Sequence, residues 1–275
     1  RSPDSMALLY LLQDIATHRH TTYKIGVAIV DHCIRPESKD EVLWLQHQVE
    51  ELGLPFYSAT FDVPHLSKEH KKSEETIGRQ VRYQWLNEIA QSEGYDYISV
   101  AHHKDDQAES ILAHIIRGSG LNGLTGMSVV QSEYAIPVVR PLLDVTKENL
   151  LAYIGTKHIS YCVDSTNEDV RYQRNRIRHR IIPELEAVNP AVVDAIVRLG
   201  SSVNEDVMVI SDLTARTFDK LVSIDDDEVR ISRRALRQEP LAIQRRLWQR
   251  LVSTIDSDLT LTSAHQEQLL DIVNT

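Results

Sequence analysis

The sequence predicts an α/β fold, a doubly wound parallel sheet followed by a smaller, mainly helical domain. Strand-like apolar runs alternate with segments of helical length and period as far as about Lys157, which is typical of a parallel sheet covered by helices. Polar residues gather directly after one of these strands. From about Pro183 onward, long segments with a 3.6-residue period replace the strands. We therefore expect a catalytic domain over residues 1–185 and a helical domain over residues 186–275.

The predicted elements follow one another along the chain in the order that this fold requires. A helix begins at about Ser5. It is followed by a strand at 25–30, a helix at 39–52, a strand at 56–61, a helix at 73–92, a strand at 97–101 and a helix at 105–117. A short strand near 135–139 and a helix at 146–157 complete the first domain. Long helices are predicted at 192–221 and 241–254 in the second.

Composition restricts the class of protein. The chain has 275 residues, of which 42% are hydrophobic, and no apolar run approaches the roughly 20 residues of a membrane span, so a soluble protein without membrane contact is expected. Cys33 and Cys162 are far apart and lack metal-binding spacing, which fits a reducing cytoplasm. The net charge of −10 argues against indiscriminate binding to polyanions, because that affinity comes from clustered Lys and Arg.

Two segments reverse this charge locally. Residues 171–180 contain five arginines and no acid, and Tyr172, Asn175 and His179 between them add stacking and directional hydrogen bonding. Residues 230–250 contain seven arginines against Glu239 alone. The first segment is a candidate RNA contact. The second is as consistent with a solvated helix face as with a binding surface.

Candidate site residues follow the strand at 97–101. The carboxyl ends of parallel strands are where ligands bind, so Asp105 and Asp106 at the start of the next helix indicate a site. The alternative is an acidic helix start that the helix dipole favours. The glycine-rich stretch at 118–123 follows a helix rather than a strand, which excludes a dinucleotide fingerprint and indicates a flexible loop.

Two further patterns carry weaker signals. Pro3, Asp4 and Ser5 open the first helix, where such residues either cap the helix or bind phosphate and magnesium. Arg79 and Arg82 share a helix face with Glu75, a spacing that also suits an ordinary intrahelical salt bridge.

Together these motifs resemble the tRNA(Ile)-lysidine synthetase family of N-type ATP pyrophosphatases, whose fold is adenine nucleotide α-hydrolase-like. The resemblance spans about residues 3–190. Pro3-Asp4-Ser5 resembles the end of the family's Ser-Gly-Gly-x-Asp-Ser loop, although the two glycines have no counterpart between Ser2 and Pro3. The other matching segments lie at 102–110, 117–127, 140–143, 164–167 and 174–178.

The resemblance implies a reaction. ATP would adenylate the C2 carbonyl oxygen of the wobble cytidine of an isoleucine tRNA, and the ε-amine of free L-lysine would then displace AMP to give lysidine. The helical domain at residues 186–275 would recognise the tRNA, and a homodimer and a cytoplasmic location are compatible with this reaction. The implied ATP-binding residues are Pro3, Asp4, Ser5, Arg79, His102 and Gly118, with Asp4 also holding Mg²⁺. The implied catalytic residues are Asp4, Asp105, Asp106 and Glu109, and the implied substrate contacts are Arg82, Arg117, Gly120, Arg174, Asn175 and Arg178.

Three alternatives stay open. A metal-dependent hydrolase could use His102, His103, Asp105 and Asp106 as ligands. A related pyrophosphatase that thiolates tRNA usually needs paired cysteines, which this chain lacks. An inactive tRNA-binding fragment is favoured if the phosphate loop truly lacks its glycines.

Overall fold

The structure is a computed structural model that describes residues 2–18, 23–35, 37–162, 173–225, 228–255, 259 and 261–274. The motif at 164–167, together with Arg171 and Tyr172, lies outside the described residues. The chain divides into two compact units. The first comprises residues 1–119 and 125–198, and the second comprises residues 120–124 and 199–275.

The described residues of the two units form the following helices and strands. The helices are α1 (Pro3–His18), α2 (Ser38–Glu51), α3 (Val63–His70), α4 (Glu74–Glu93), α5 (Lys104–Ile116), α6 (Leu121–Leu124), α7 (Lys147–Lys157), α8 (Gln173–Arg176), a π-helical turn (Ile177–Ile181), α9 (Ile182–Val188), α10 (Val192–Leu221), α11 (Arg233–Leu236), α12 (Leu241–Ile255) and α13 (Ser263–Asn274). The strands are β1 (Val27–Asp31), β2 (Phe56–Thr60), β3 (Ile98–Ser99), β4 (Val130–Gln131), β5 (Val138–Val139), β6 (Val222–Asp225) and β7 (Glu228–Ile231).

The described strands of the first unit form a parallel pair and a three-stranded sheet. β1 pairs with β2 in parallel, Val27 opposite Phe56. β5 lies between β3, to which it is parallel, and β4, to which it is antiparallel. The predicted α/β class is confirmed, but β4 was not predicted, since a two-residue edge strand is too short to show a period.

Helix boundaries follow local capping chemistry. Ser73 and Thr146 accept hydrogen bonds from Thr76 N and Asn149 N and so cap α4 and α7. α3 was not predicted, although Asp62 caps it through His65 N and a proline lies in its first turn. The capping signal was therefore present, but eight residues are too few to give a clear apolar period.

α1 and α7 run side by side in the same direction. Lys147 pairs with Asp4 near the start of both helices, and Lys157 Nζ lies 2.9 Å from Asp14 Oδ2 further along them. Buried Met6, Leu8 and Leu150 belong to one apolar cluster, against which side chains of β1 and β2 pack. This packing brings the N-termini of α1 and α7 together, so that Asp4 and Lys147 are neighbours.

The second unit is mainly helical, as predicted. Phe218, Leu236, Leu247 and Val273 are buried in its core, which draws on α10 to α13. An antiparallel hairpin of β6 and β7 was not predicted, although Ile224 and Val229 are paired in an alternating apolar pattern. Within the described residues, no helix has both the length and the apolar character needed to cross a membrane.

Candidate active site

The acidic side chains after β3 lie on one face of α5. Asp106 and Glu109 are three residues apart and therefore project from the same side of the helix. Both are almost fully buried, with 6% and 1% of their surface exposed. The backbone N–H of His103 donates to Asp106 Oδ2 at 3.0 Å, which caps the helix. Buried carboxylates need cationic partners, because removing a charge from water is costly.

Arg174 and Arg178 supply those partners from the helical segment that follows α7. Arg174 donates to Glu109 Oε2 at 2.9 Å and to Asp106 Oδ1 at 2.8 Å. Arg178 donates to Glu109 Oε1 at 2.6 Å and to Asp106 Oδ1 at 3.0 Å. We call these four residues the ion-pair cluster. The arginines are four residues apart, so one helix face meets the acidic face of α5.

The ion-pair cluster keeps its aspartate ionised. Burial alone would raise the pKa of Asp106, but the charges of Arg174, His103 and Arg178 outweigh burial and lower that pKa below its ordinary value. The arginine side chains remain about one third to two fifths exposed, with 33% for Arg178 and 43% for Arg174. The two carboxylates of the cluster are thus buried, and solvent reaches the cluster from the side of the two arginines.

The His103 ring joins three carboxylates. Its Nδ1 lies 3.3 Å from Asp105 Oδ2, and its Nε2 lies 3.4 Å from Asp106 Oδ2 and 3.9 Å from Asp4 Oδ1. Burial opposes protonation of this ring, but the hydrogen bond to Asp105 and the charges of Asp106 and Asp4 prevail and raise the pKa of His103. These carboxylates therefore favour protonation of His103, and a proton on the ring balances part of the negative charge of this region.

Three helix N-termini meet beside His103. Asp4 lies in the first turn of α1 and Asp105 in the first turn of α5. Lys147, the first residue of α7, donates through its backbone N–H to Asp105 Oδ2 at 2.9 Å, and its ammonium group pairs with Asp4. Each helix N-terminus carries a partial positive charge, so their meeting point favours an anion.

His102 is held as a neutral donor. Arg140, which is 2% exposed, donates from Nε to His102 Nδ1 at 3.3 Å. Because arginine has no acceptor, Nδ1 must be unprotonated and the ring proton lies on Nε2. Burial, opposed by Asp106 and reinforced by Arg174, Arg140 and Arg79, lowers the pKa of His102 to about 4. The ring can therefore donate a hydrogen bond without carrying charge at neutral pH.

The remaining predicted residues are spread around this centre. Ser2 Oγ accepts from Ser5 N at 3.3 Å, and Ser2 O accepts from Met6 N at 3.0 Å, so Ser2 caps the N-terminus of α1. Exposed Arg82 lies 3.1 Å from His32 Nε2. Exposed Arg79 lies over the Tyr83 ring. Arg117, Gly118 and Gly120 follow α5 in the sequence and are exposed. Asn175 stands between Arg174 and Arg178 in the sequence and is half-buried.

Sequence reasoning assigned no role to three residues whose contacts shape the candidate site. Lys147 stands directly after the Thr146 cap of α7, a position that gives no sign of contact with Asp4. Arg140 was noted only within the motif at 140–143. Gln107 Nε2 donates to Met127 O at 2.9 Å and Gln107 Oε1 accepts from Met127 N at 2.7 Å. These two hydrogen bonds connect α5 to the loop at Met127. Arg140 and Gln107 both stand within motifs that the resemblance covers, at 140–143 and 102–110, so those motifs carried a signal for them, whereas Lys147 had none.

The donor set suits magnesium only when the ion arrives with phosphates. Within the described residues no group of three or more His, Cys, Asp or Glu side chains is arranged to hold a metal ion. Mg²⁺ is usually bound by one or two carboxylates together with substrate phosphates, and Asp4 offers one such carboxylate. The hydrolase alternative needs a complete protein ligand set, whereas here His102 accepts from Arg140 and Asp106 is paired with arginines.

Comparison with known proteins gives a family match over the first unit. Residues 2–185 match the profile of the PP-loop domain. The tRNA(Ile)-lysidine synthase of Caldanaerobacter subterraneus subsp. tengcongensis is 30% identical over 275 residues, which cover 99% of this chain and 58% of that protein. The synthase of Thermotoga sp. (strain RQ2) is 38% identical over 198 residues, covering 72% of this chain and 46% of that protein.

A third synthase and one solved structure complete the comparison. The synthase of Porphyromonas gingivalis (strain W83) is 34% identical and matches 71% of this chain and 41% of its own length. The chain thus spans about half the length of the curated relatives it matches. The U34-tRNA thiolase NcsA of Methanococcus maripaludis superposes with a TM-score of 0.61 at 18% identity, covering 74% of this chain and 69% of that chain, which indicates a shared fold.

Proposed function

The chain belongs to the PP-loop domain family, and from that premise we propose that it ligates lysine to the wobble cytidine of an isoleucine tRNA at the expense of ATP. The observation that carries this proposal is an anion-favouring site next to a carboxylate centre. His103 links the two, because its Nε2 lies 3.9 Å from Asp4 Oδ1 and 3.4 Å from Asp106 Oδ2. A reaction that activates a nucleotide with ATP and then adds an amine, which arrives as an ammonium ion and attacks after losing a proton, needs both kinds of site together.

The meeting point of the three helix N-termini is proposed to hold the triphosphate. Lys147 and the first turns of α1, α5 and α7 would bind phosphate oxygens, and His102 would donate from Nε2 to one of them. Magnesium, when bound at Asp4 with ATP, would offset charge on the departing pyrophosphate. In this arrangement the protein groups stabilise the negative charge that develops as the cytidine oxygen bonds to the α-phosphate.

Asp106 and Glu109 are proposed to bind the amine of lysine. Two carboxylates within one buried centre attract an ammonium group strongly, and they are already occupied by guanidinium groups of the chain itself. Lysine must therefore share or take over positions held by Arg174 or Arg178. One of the acids, or Asp105, would accept the proton that the ammonium loses before its nitrogen attacks C2 and displaces AMP.

The substrate assignment draws support from the relatives. The curated proteins similar to this chain are named for tRNA(Ile) and lysidine. The helical unit, together with exposed Arg176 and Arg180, would contact the tRNA, and the anticodon loop offers an unpaired cytidine that can leave its stack at low cost.

A two-product assay tests the proposal. Unmodified isoleucine tRNA, ATP with Mg²⁺ and radiolabelled lysine are expected to yield pyrophosphate and labelled tRNA with the wild-type chain. Asp106→Asn should abolish lysine transfer, because one charge of the centre is lost. Its fold is expected to survive with a cost of about 1–3 kcal/mol, since Arg174 and Arg178 keep Glu109 as a partner. Asp212→Asn, an exposed member of an ion pair on α10, is the control.

A second chain tests whether the missing glycines matter. Gly-Gly inserted between Ser2 and Pro3 restores the family's loop ahead of α1. If the wild-type chain is inactive and the chain with the Gly-Gly insertion is active, the proposed reaction stands and the short loop explains the missing activity of the wild type. Two inactive chains that still bind tRNA would contradict the enzyme assignment and favour a tRNA-binding fragment.

A further inference from the structure

We propose that a groove between the C-terminal end of α5 and the helical segment 173–185 binds an unpaired stretch of RNA. Two arginines would hold its phosphates, and an apolar floor would contact a base. The groove belongs to the first unit and lies apart from the ion-pair cluster. The proposal rests on the proposed function, because it assigns an additional contact for the same tRNA substrate.

The arginines of 173–180 divide into two pairs with different surroundings. Arg174 and Arg178 point toward α5 and are bound by Asp106 and Glu109. Arg176 and Arg180, also four residues apart, line the groove and are exposed. In the part of the chain that the structure describes, no ion pair engages either of them. The positive charge of Arg176 and Arg180 is therefore available to an external anion.

The groove has a volume of about 500 Å³ and an apolar floor. Ile181 and Leu185 line it beside Ile116, whose side chain is 53% exposed at the end of α5. Gln173 lies at its edge, where Arg117 Nη1 donates to Gln173 Oε1 at 3.5 Å. Glu184 is the one acid among the lining residues. The groove is thus lined by two arginines and one carboxylate, and Arg117 adds a further positive charge next to Gln173.

The chemistry of the groove matches a single RNA strand. Guanidinium groups bind phosphates in a bidentate manner, and an apolar surface between them suits the face of an unstacked base. Duplex RNA does not expose base faces in this way, whereas the bases of loops are splayed out. Because the whole chain carries a net charge of −10, RNA affinity must come from local patches such as this one.

The test compares two variants that each remove two positive charges. Arg176→Ala with Arg180→Ala should weaken binding to an unmodified isoleucine tRNA transcript by roughly tenfold or more, as lost charge-assisted contacts imply. It should also flatten the slope of log K against log salt by about 1.4, at about 0.7 per contact with a single strand. Lys68→Ala with Lys72→Ala, on exposed positions around the end of α3, is the control and should bind tRNA like the wild type.

Ile116→Asp tests the floor without removing an arginine. A carboxylate there should repel the strand and weaken tRNA binding, while thermal unfolding confirms that the exposed position tolerates the change. If the wild type binds tRNA and both groove variants bind equally well, the groove assignment is overturned, and a protein partner becomes the better occupant. If the wild type binds no tRNA, the proposed function itself fails.

Discussion

At the scale of single residues, Arg140 and His102 give the clearest example of a role set by a neighbour. Arg140 is buried and donates to His102 Nδ1, to Ser128 O at 2.8 Å and to Gln131 Oε1 at 2.6 Å. A single guanidinium group therefore satisfies three acceptors and fixes the ring proton of His102 on Nε2. Histidine alone would exchange between its two neutral forms.

Arg140→Gln should therefore change both stability and the His102 tautomer. The expected loss is about 1–3 kcal/mol of unfolding free energy, because buried acceptors lose their donor. Nitrogen-15 NMR of the imidazole, assigned by comparison with His102→Gln, should show the wild-type ring protonated on Nε2 and the variant ring as a mixture. Arg82→Gln is the control, since its contact with His32 is exposed. Identical imidazole spectra for wild type and Arg140→Gln would contradict the assigned role.

At the scale of elements, α1 and α7 carry two ion pairs of similar chemistry with different surroundings. Lys147 pairs with Asp4 at the helix N-termini, and Lys157 pairs with Asp14 ten residues further along both helices. Each pair joins the same two helices. Only the first lies where the N-termini favour an anion.

Lys147→Met should weaken ATP binding by roughly tenfold or more, because a charged donor to phosphate is lost. Lys157→Met, which removes a cation from the same helix, should leave ATP affinity unchanged. Titration calorimetry with ATP and Mg²⁺ measures both affinities. Both substitutions are made in whichever chain binds ATP, the wild type or the chain with Gly-Gly inserted between Ser2 and Pro3. Equal effects of the two substitutions would mean that Lys147 acts only as a link between helices.

The junction between α5 and the loop at Met127 depends on a glycine. Gly126 has φ +71°, and a Cβ placed there would lie 2.7 Å from Gln107 Cδ and Oε1. Gln107 would have to move and give up its two hydrogen bonds to Met127. Gly53 has a similar φ of +67° but nothing within 4 Å of its added Cβ. Comparison of the two glycines therefore separates two costs of adding a Cβ. Both positions carry the cost of a left-handed backbone, but only Gly126 carries the cost of a clash with a side chain.

Gly126→Ala should cost more stability than Gly53→Ala. The left-handed backbone costs about 1–2 kcal/mol in each, and the lost Gln107 bonds add about 1–3 kcal/mol at Gly126 alone. Urea denaturation of the two variants measures the difference. If both lose the same stability, Gln107 has adapted and the junction is less rigid than its geometry indicates.

At the scale of the whole molecule, the lowered pKa of His102 affects how stability depends on pH. The unfolded chain takes up a proton on His102 near pH 6.5, whereas the folded protein resists protonation until about pH 4. Between these values the unfolded state binds more protons. The contribution of His102 to stability is therefore complete above pH 6.5 and is lost as pH falls toward 4.

Denaturation midpoints measured from pH 7 to pH 4 should reveal this loss, at up to about 1.4 kcal/mol per pH unit. His102→Gln should be less sensitive to acid over that range, because the titrating group is gone. His47→Gln, at an exposed position of α2, is the control for the replacement of a histidine by glutamine. An unchanged slope in His102→Gln would show that other groups govern acid unfolding of the molecule.

The sequence by itself determined the features that depend on local spacing. The alternation of apolar runs predicted the α/β class, and the position of Asp105 and Asp106 directly after an apolar strand predicted a site at the start of the next helix, because both patterns are local properties of the chain. Residue types also predicted an anion site near Asp4 and a cationic segment around Arg174. These inferences required no knowledge of which distant segments meet.

Tertiary structure alone decided which of these features meet. Arg174 and Glu109 are 65 positions apart, and no local pattern predicts that their side chains are bonded to each other while Arg176 and Arg180 line an open groove. The same holds for Lys147 and Asp4, which are 143 positions apart. The ionisation of Asp106 and the tautomer of His102 likewise depend on burial and on charges that folding brings close, because electrostatic interactions act through space and not along the chain.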